Sequence, residues 1–384
     1  MAEPIRRAMI VTGEASGDLH GGNLIAAAAK VDPGLKFFGV GGVNMERAGC
    51  DILIQGEEIA TMGFVEVLGH LPVILRAFKK MKQILQGDER PDVLILIDFP
   101  EFNLRLARVA KEVGVPVLYY VSPQVWAWRR GRVKKIAAVV DYLAAILPFE
   151  PEYYKDEDIE VEYVGNPLLD EFTITIDRDD YLRSKGLDPA KKTVGLFPGS
   201  RINELNYIFQ TIIASARVLY ERDPDLQFLL PVAPTLSEET IRERLAGQPF
   251  KTVLVHDSIY NVANACDAVI IVSGTATLQT ALAGAPMAIL YKLNALSYFI
   301  GKCLVKVPFI GLANIVAGQQ VAKEFMQEAA TPDNIVGEIE KILYDDTYRQ
   351  DLRAKLATVQ KKMGEPGCSE RVARVASRLS KGEG

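Results

Sequence analysis

Ten short runs that are almost entirely apolar alternate with amphipathic helical patterns and constrain the fold of this chain. Strands covered on both faces of a parallel sheet have such uninterrupted apolar sequences, whereas half-exposed strands alternate. The runs occupy residues 8–12, 36–40, 92–99, 115–122, 142–147, 193–197, 226–232, 252–256, 268–272 and 287–291. They predict an α/β protein with two doubly wound, Rossmann-like parallel sheets.

A change of pattern between Gly165 and Thr193 marks the predicted boundary between two domains. Asn166-Pro167, an acidic run at 177–180 and a turn at 186–189 interrupt the alternation there. The 384 residues suit two domains of about 150 residues each with a short addition. We predict domains over 1–166 and 167–347, and a C-terminal helix over 348–384 that packs back across the first domain.

Composition disfavours several classes of protein. The chain has 44 basic and 49 acidic residues, a net charge of −5, so no global basic field exists to hold a nucleic acid. Four cysteines and three histidines have neither disulfide-framework nor zinc-site spacing. The N-terminal apolar run is too short for a signal peptide. The uncharged stretch 268–291 contains Gly284 and Pro286, and therefore predicts a strand, a turn, a helix and a strand instead of a membrane span. We expect a cytoplasmic protein without a nucleic-acid partner.

Candidate site residues follow the predicted strands, because ligands bind at the carboxyl ends of such sheets. GEASGD (13–18) opens a helix, where either N–H groups bind an anion or Ser16 or Asp18 caps the helix. Asp98 ends a very apolar strand, where desolvation suits a general base; the alternative is a bond to loop backbone. Trp126 and Trp128 lie beside basic residues, which fits either a phosphate-bearing ligand or two core tryptophans next to an exposed basic helix.

Two loops of the second domain predict a diphosphate site. GSR (199–201) and SGT (273–275) each follow an apolar strand and direct helix starts toward one crevice, with Arg201 nearby. Asp177-Arg178-Asp179 has a metal-binding spacing. It precedes a short helix, where acidic residues stabilise the N-terminus, so we interpret it as a helix start.

Residues 62–87 form the most unusual candidate surface. Pro72 is predicted to start a helix that ends at Gly87. One face carries apolar residues and the opposite face carries basic residues: Ile74, Phe78, Met81 and Leu85 against Arg76, Lys79 and Lys80. The pattern by itself favours core packing over contact with an anionic membrane.

Taken together, these segments closely resemble the lipid-A-disaccharide synthase family. The matching segments, in the family's order from about residue 8 to 330, are GEASGD, MGFVEVLG, IDFPEFN, YYVSPQVWAWRRGRVKKI, LPFEP, GNP, LFPGSR, VSGTATL and ANIVAGQQVAKEFMQE. SPQVWAWR and GEASGD are highly specific to this family, whereas SGT-type loops occur in other nucleotide-sugar transferases.

The resemblance implies a GT-B fold and an inverting hexosyltransferase of lipopolysaccharide synthesis in Gram-negative bacteria. The implied reaction transfers 2,3-diacylglucosamine from its UDP ester to 2,3-diacylglucosamine 1-phosphate (lipid X), giving the β-1,6 lipid A disaccharide 1-phosphate and UDP. It needs no cofactor and no metal, and takes place at the cytoplasmic face of the inner membrane, where the protein associates peripherally with phospholipid. A homodimer is compatible with the sequence. The alternatives are another GT-B enzyme, such as the muramyl-pentapeptide N-acetylglucosaminyltransferase, and a UDP-sugar epimerase or hydrolase.

The resemblance also assigns roles to particular residues, with Asp98 as the catalytic base. Acceptor binding is expected at Glu14, Ser16, Gly17, Trp128 and Arg129. Donor binding is expected at Gly199, Ser200, Arg201, Glu204, Ser273, Gly274, Thr275, Gln279 and Asn314. Membrane contact, which the resemblance favours over core packing, is expected at Met62, Phe64, Leu68 and Leu71. The sequence departs from the family pattern at two positions: Gln279, where the family usually has a ribose-binding glutamate, and Ala313, where we expect proline. The Gln279 amide keeps one acceptor for the ribose but makes a weaker contact than a carboxylate.

Overall fold

The computed structural model describes residues 5–59, 64–123, 125–126, 131–292 and 308–383, with only the backbone described at 64–70 and 202–204. The strands are β1 Arg6–Val11, β2 Leu35–Gly41, β3 Asp51–Gln55, β4 Val93–Ile97, β5 Val117–Tyr120, β6 Tyr142–Ala145, β7 Glu160–Tyr163, β8 Thr193–Phe197, β9 Gln227–Pro231, β10 Thr252–Val255, β11 Ala268–Val272, β12 Met287–Tyr291 and β13 Lys323–Met326.

The helices lie between these strands and at the end of the chain. They are α1 Ala15–Val31, α2 Val43–Arg47, α3 Gly56–Ile59, α4 Phe64–Gln86, α5 Pro100–Glu112, α6 Arg132–Ala137, α7 Pro167–Glu171, α8 Arg178–Ser184, α9 Ile202–Arg222, α10 Glu238–Leu245, α11 Ile259–Ala265, α12 Thr275–Leu282, α13 Leu312–Ala317, α14 Pro332–Tyr344, α15 Asp346–Met363 and α16 Cys368–Ser380. Single 3-10 turns occupy Pro151–Tyr153 and Gln327–Ala329.

The chain divides into two compact units. Unit 1 contains Met1–Asp170 and Glu365–Gly384, and unit 2 contains Glu171–Gly364. The break after Asp170 lies close to the boundary predicted from sequence. The last 20 residues belong to unit 1, whereas the preceding α15 belongs to unit 2.

The described part of unit 1 contains a seven-stranded parallel sheet in the order β3-β2-β1-β4-β5-β6-β7. Alternate residues of β1 enter separate apolar cores on its two faces: Ala8 and Ile10 in one, Met9 and Val11 in the other. Helices α4 and α5 supply the core around Met9, and α1 and α16 supply the core around Ile10. Both faces are thus covered, as the uninterrupted apolar strands predict.

The sheet of unit 2 has the order β10-β9-β8-β11-β12-β13 within the described residues, and its strands are parallel. In each sheet the direction of winding reverses once, between β1 and β4 in unit 1 and between β8 and β11 in unit 2. Ligands of doubly wound sheets bind beside such reversals, outside the carboxyl ends of the strands. The candidate site residues are therefore sought there.

The predicted C-terminal helix is two helices. Helix α15 ends at Met363 and α16 begins at Cys368, because Gly364 (φ +76°) and Gly367 (φ +100°) adopt left-handed conformations on either side of Pro366. Only α16 packs in the core of unit 1, through residues that include Val372 and Ala376.

The predicted start of α4 at Pro72 is wrong. The helix begins at Phe64 and Pro72 lies inside it. Pro72 is exposed, so water can bond the carbonyl group that loses its helical partner. None of the helices in the described part of the chain combines the length and apolar character that crossing a bilayer requires.

Candidate active site

The turn that follows β4 has an unusual backbone. Asp98 and Phe99 both adopt left-handed conformations, with φ of +47° and +46°, which non-glycine residues rarely do except where the surroundings enforce it. The Phe99 ring lies over Gly13, where a Cβ would come within 2.8 Å of ring atom Cγ. Glycine at position 13 therefore lets the start of α1 and the Asp98 turn pack directly together.

The Asp98 carboxyl group is poised to exchange a proton near neutral pH. Burial, and secondly the negative charge of Glu14, raise the pKa of Asp98 to about 6, while the N–H group of Phe99 opposes the shift. Glu14 is exposed and immediately precedes α1. A partly buried carboxylate with a raised pKa at the reversal point of a sheet has the properties of a general base.

The remaining residues of GEASGD divide between structure and surface. Asp18 does not cap α1 but accepts hydrogen bonds from the backbone of Gly42 (2.7 Å) and Asn44 (2.9 Å), which fixes the start of α2. Gly17 is buried, and a Cβ there would lie 1.9 Å from Thr12 Oγ1. Position 17 therefore requires glycine for close packing, whereas Ser16 is exposed. The acceptor role of Gly17 stays a prediction.

The tryptophan loop packs on the segment that follows β6. The Trp126 side chain is buried edge-on against Phe149, with ring centroids 5.3 Å apart at 90°. The Ser122 and Tyr154 hydroxyl oxygens are 3.1 Å apart. The core alternative for Trp126 is thereby confirmed, while Trp128 and Arg129 lie outside the described residues.

In unit 2, two helices each begin after one of two neighbouring strands. Phe197, the last residue of β8, pairs with Ile271 of β11. After β8 the chain turns at Gly199 (φ +91°), and Ser200 and Arg201 are exposed before α9. After β11, Gly274 and Thr275 are exposed at the start of α12, and no side chain caps that helix. Helix N-termini that follow neighbouring strands, with an arginine before one of them, suit an anionic diphosphate. The Glu204 side chain is not described.

The loop before α13 is organised by a buried amide. Asn314 is fully buried, and its Oδ1 accepts the N–H groups of Val321 (2.7 Å) and Ala322 (2.9 Å). Its Nδ2 donates to Ala322 O at 2.7 Å and to Glu324 Oε1 at 2.8 Å. All four hydrogen-bonding positions of the amide are used, so the Asn314 side chain orders the loop. Its donor-binding role stays a prediction.

Glu324 and Ser273 complete this loop. Glu324 accepts N–H groups from Ile310 and Gly311, at 2.8 Å for the latter, and the Ser273 hydroxyl donates to Ile310 O at 2.9 Å. Ser273 thus connects the loop to the carboxyl end of β11. Sequence reasoning did not single out Glu324, although it lies within the family-like segment 313–328.

Gln279 has a partner within unit 2. Its amide forms a hydrogen bond with the Tyr260 hydroxyl. This bond opposes the effect of burial, which raises the pKa of Tyr260 to about 12.

Among the described residues, no three histidine, cysteine or acidic side chains lie close enough together to share a metal ion. Asp177 accepts the Asp179 N–H at 2.9 Å and caps α8, which confirms its interpretation as a helix start.

Two units with doubly wound parallel sheets define the class of GT-B folds, and solved structures share this fold. A putative UDP-N-acetylglucosamine 2-epimerase from Listeria monocytogenes aligns with a TM-score of 0.66 at 13% identity, covering 99% of this chain and 98% of that one. The glycotransferase of kitacinnamycin aligns with a TM-score of 0.62 at 16% identity, covering 99% and 100%.

Sequence comparison identifies the family within this class. The model of the family described as lipid-A-disaccharide synthetase matches residues 8–375. The lipid-A-disaccharide synthase of Syntrophotalea carbinolica is 64% identical over 374 residues, 97% of this chain and 95% of the relative. The chain belongs to the lipid-A-disaccharide synthase family, the glycosyltransferases of lipid A biosynthesis.

Proposed function

We propose that this enzyme condenses UDP-2,3-diacylglucosamine with 2,3-diacylglucosamine 1-phosphate to form the β-1,6 disaccharide 1-phosphate and UDP. The observation that carries the proposal is Asp98, whose carboxyl group lies partly buried at the winding reversal of unit 1 with its pKa raised to about 6. Glu14 and Ser16 are exposed beside it at the start of α1. We assign acceptor binding to this part of unit 1.

Asp98 acts as the general base. It accepts the proton of the acceptor's 6-hydroxyl group while that oxygen attacks the anomeric carbon of the donor sugar. The bond between this carbon and the diphosphate oxygen breaks on the opposite face, so the configuration inverts and UDP leaves. A pKa of about 6 leaves Asp98 mostly ionised at neutral pH yet more basic than an ordinary aspartate.

Unit 2 stabilises the charge of the departing diphosphate. The support is the pair of helix starts that follow the neighbouring strands β8 and β11, with Arg201 exposed before α9 and no side-chain cap on α12. Ser273 and Asn314 shape the neighbouring loop. In the proposed reaction, Arg201 and the N-termini of α9 and α12 supply the positive charge that stabilises the departing diphosphate, and no metal is required.

Acceptor-dependent product formation tests the proposal. Purified protein is mixed with UDP-2,3-diacylglucosamine, with and without the acceptor, and UDP and lipid products are measured. We expect UDP release only when the acceptor is present, and an unchanged rate in EDTA. Asp98→Asn should lower the rate by about 10²–10⁴-fold, which is the usual contribution of a general base. Release of UDP without acceptor would indicate a hydrolase. More than about a tenth of the rate in Asp98→Asn would exclude the base assignment.

We also propose that α4 associates peripherally with the cytoplasmic face of the inner membrane. Leu71 and Leu75 are 43% and 54% exposed, although neighbouring positions such as Met81 are fully buried. Basic side chains at Arg76 and Lys79 are exposed on the same helix. Exposed leucines beside cations suit an anionic lipid surface. Met62 and the side chains of Phe64 and Leu68, predicted to share this contact, lie outside what the structure describes.

A further inference from the structure

The carbonyl group of Asp98 is held by two buried side chains from different elements. The Tyr119 hydroxyl on β5 donates to Asp98 O at 2.6 Å, and Asn103 Nδ2 on α5 donates to the same oxygen at 2.8 Å. Both side chains are fully buried. A carbonyl oxygen has two lone pairs, so its hydrogen-bonding capacity is fully used.

The Asn103 amide also connects the carboxyl ends of two strands. Its Nδ2 lies 3.3 Å from Ile97 O at the end of β4 and 3.4 Å from Val11 O at the end of β1. Its Oδ1 has no hydrogen-bond partner within the described part of the chain. A buried unpaired acceptor destabilises a fold, so packing alone would favour an apolar side chain at position 103. We infer that an asparagine is present here because its Nδ2 group donates hydrogen bonds.

These bonds maintain a conformation that the backbone disfavours. Asp98 and Phe99 are consecutive left-handed residues. The Asp98 N–H donates to Tyr120 O at 3.3 Å. The peptide groups on both sides of the Asp98 Cα are therefore fixed, and this sets the direction in which its carboxyl group leaves the turn.

We propose that Tyr119 and Asn103 are positioning residues for glycosyl transfer, holding the left-handed turn that directs the Asp98 carboxylate toward the acceptor hydroxyl. The inference rests on the proposed function, because Asp98 must be the base for its orientation to matter. The two side chains act through Asp98 and make no assigned contact with substrate.

The substitution Tyr119→Phe tests this role, with Tyr142→Phe as a matched control. Tyr142 is also fully buried, lies on the adjacent strand β6, and its hydroxyl donates to Glu162 instead of the Asp98 turn. In Tyr119→Phe we expect kcat to fall about tenfold or more, since small misplacements of a catalytic group cost this much. The KM of the UDP-sugar should stay unchanged, and Tyr142→Phe should keep kcat.

The pH dependence of kcat separates positioning from mere stability. Among the described residues, the charged groups around the turn are Glu14, immediately before α1, and the Glu101–Arg132 ion pair between α5 and α6. A relaxed turn would let the Asp98 carboxyl group reach water and lower its pKa from about 6, so the acidic limb of kcat should move to lower pH. A purely structural loss would lower the thermal midpoint and leave the limb in place.

A double-mutant cycle distinguishes the two possible failures. In an Asp98→Asn background, Tyr119→Phe should cause no further loss of kcat, because the group it positions is gone. In one outcome, Asp98→Asn is impaired while Tyr119→Phe and Tyr142→Phe share the same kcat and the same pH at which kcat falls. The positioning role of Tyr119 is then wrong, and the base assignment of Asp98 stands. If Asp98→Asn keeps more than about a tenth of the rate, both are wrong.

Discussion

At the scale of single residues, Asp98 and Glu14 determine the expected pH dependence of the reaction. The proposed base, Asp98, must be ionised to act. Burial and the charge of Glu14 raise the pKa of Asp98 to about 6. We therefore expect kcat to be constant above about pH 7 and to fall as the pH drops through 6. Glu14→Gln removes one cause of the raised pKa, so the acidic limb in a pH profile should move to lower pH.

Glu101→Gln is the matched control for this experiment. Glu101 lies three residues after Asp98, and its carboxylate pairs with Arg132. Its removal should leave the acidic limb in place. An unchanged limb in Glu14→Gln would show that Glu14 does not influence the base.

Arg201 is the residue at which donor binding is most directly tested. Loss of one charge-assisted contact costs about 1.5–3 kcal/mol, so Arg201→Ala should lower kcat/KM for the UDP-sugar roughly tenfold to hundredfold. Arg222→Ala at the opposite end of α9, where the guanidinium pairs with Glu340, should have little effect. Unchanged donor kinetics in Arg201→Ala would move the diphosphate site elsewhere.

The sequence singled out candidate side chains best at the ends of strands. It predicted a partly desolvated carboxyl group at Asp98 because an acidic residue follows a fully apolar strand, and the structure confirms that burial raises the pKa of Asp98. The contacts of Gly17 with Thr12 and of Asn314 with the 321–324 segment could not be predicted in this way, because only the fold brings these residues together.

At the scale of elements, the sequence located the interior strands and missed three of the four edge strands of the described sheets. The predicted runs 193–197, 268–272 and 287–291 coincide with β8, β11 and β12. The three strands that were not predicted, β3, β7 and β13, all lie at sheet edges in the described structure. Edge strands have one solvated side and accept charged residues, as in Glu160–Tyr163, so they lack the continuous apolar pattern.

Helix α4 gives a prediction about membrane binding. Leu71→Ser combined with Leu75→Ser should weaken binding to anionic vesicles in a sedimentation assay, because both side chains are exposed. The control pair Ile174→Ser and Met326→Ser removes apolar side chains that are each 40% exposed in unit 2. Turnover of dispersed substrate should persist in both double variants. Equal vesicle binding by the two would exclude α4 as the membrane contact.

At the scale of the whole molecule, α16 completes unit 1 from the far end of the chain. Ala376 is fully buried in its core, so Ala376→Asp places a charge there at a cost comparable to the stability of a domain. We expect amide-exchange protection to be lost in residues 5–170 and retained in 171–364. Ala357→Asp, at an exposed position of α15, should preserve both. Simultaneous loss of protection in both units would show that they unfold as one.

The insertion of unit 2 within unit 1 also has a consequence for synthesis on the ribosome. After Asp170 is made, all of Glu171–Gly364 must be translated before α16 exists, which at about 5–20 residues per second takes about 10–40 s. Throughout that interval the nascent first unit exposes the apolar surface around Leu24 and Ile95 that α16 later covers. Slow translation of the second unit would therefore promote aggregation, and chaperone occupancy of this surface should rise with the length of the delay.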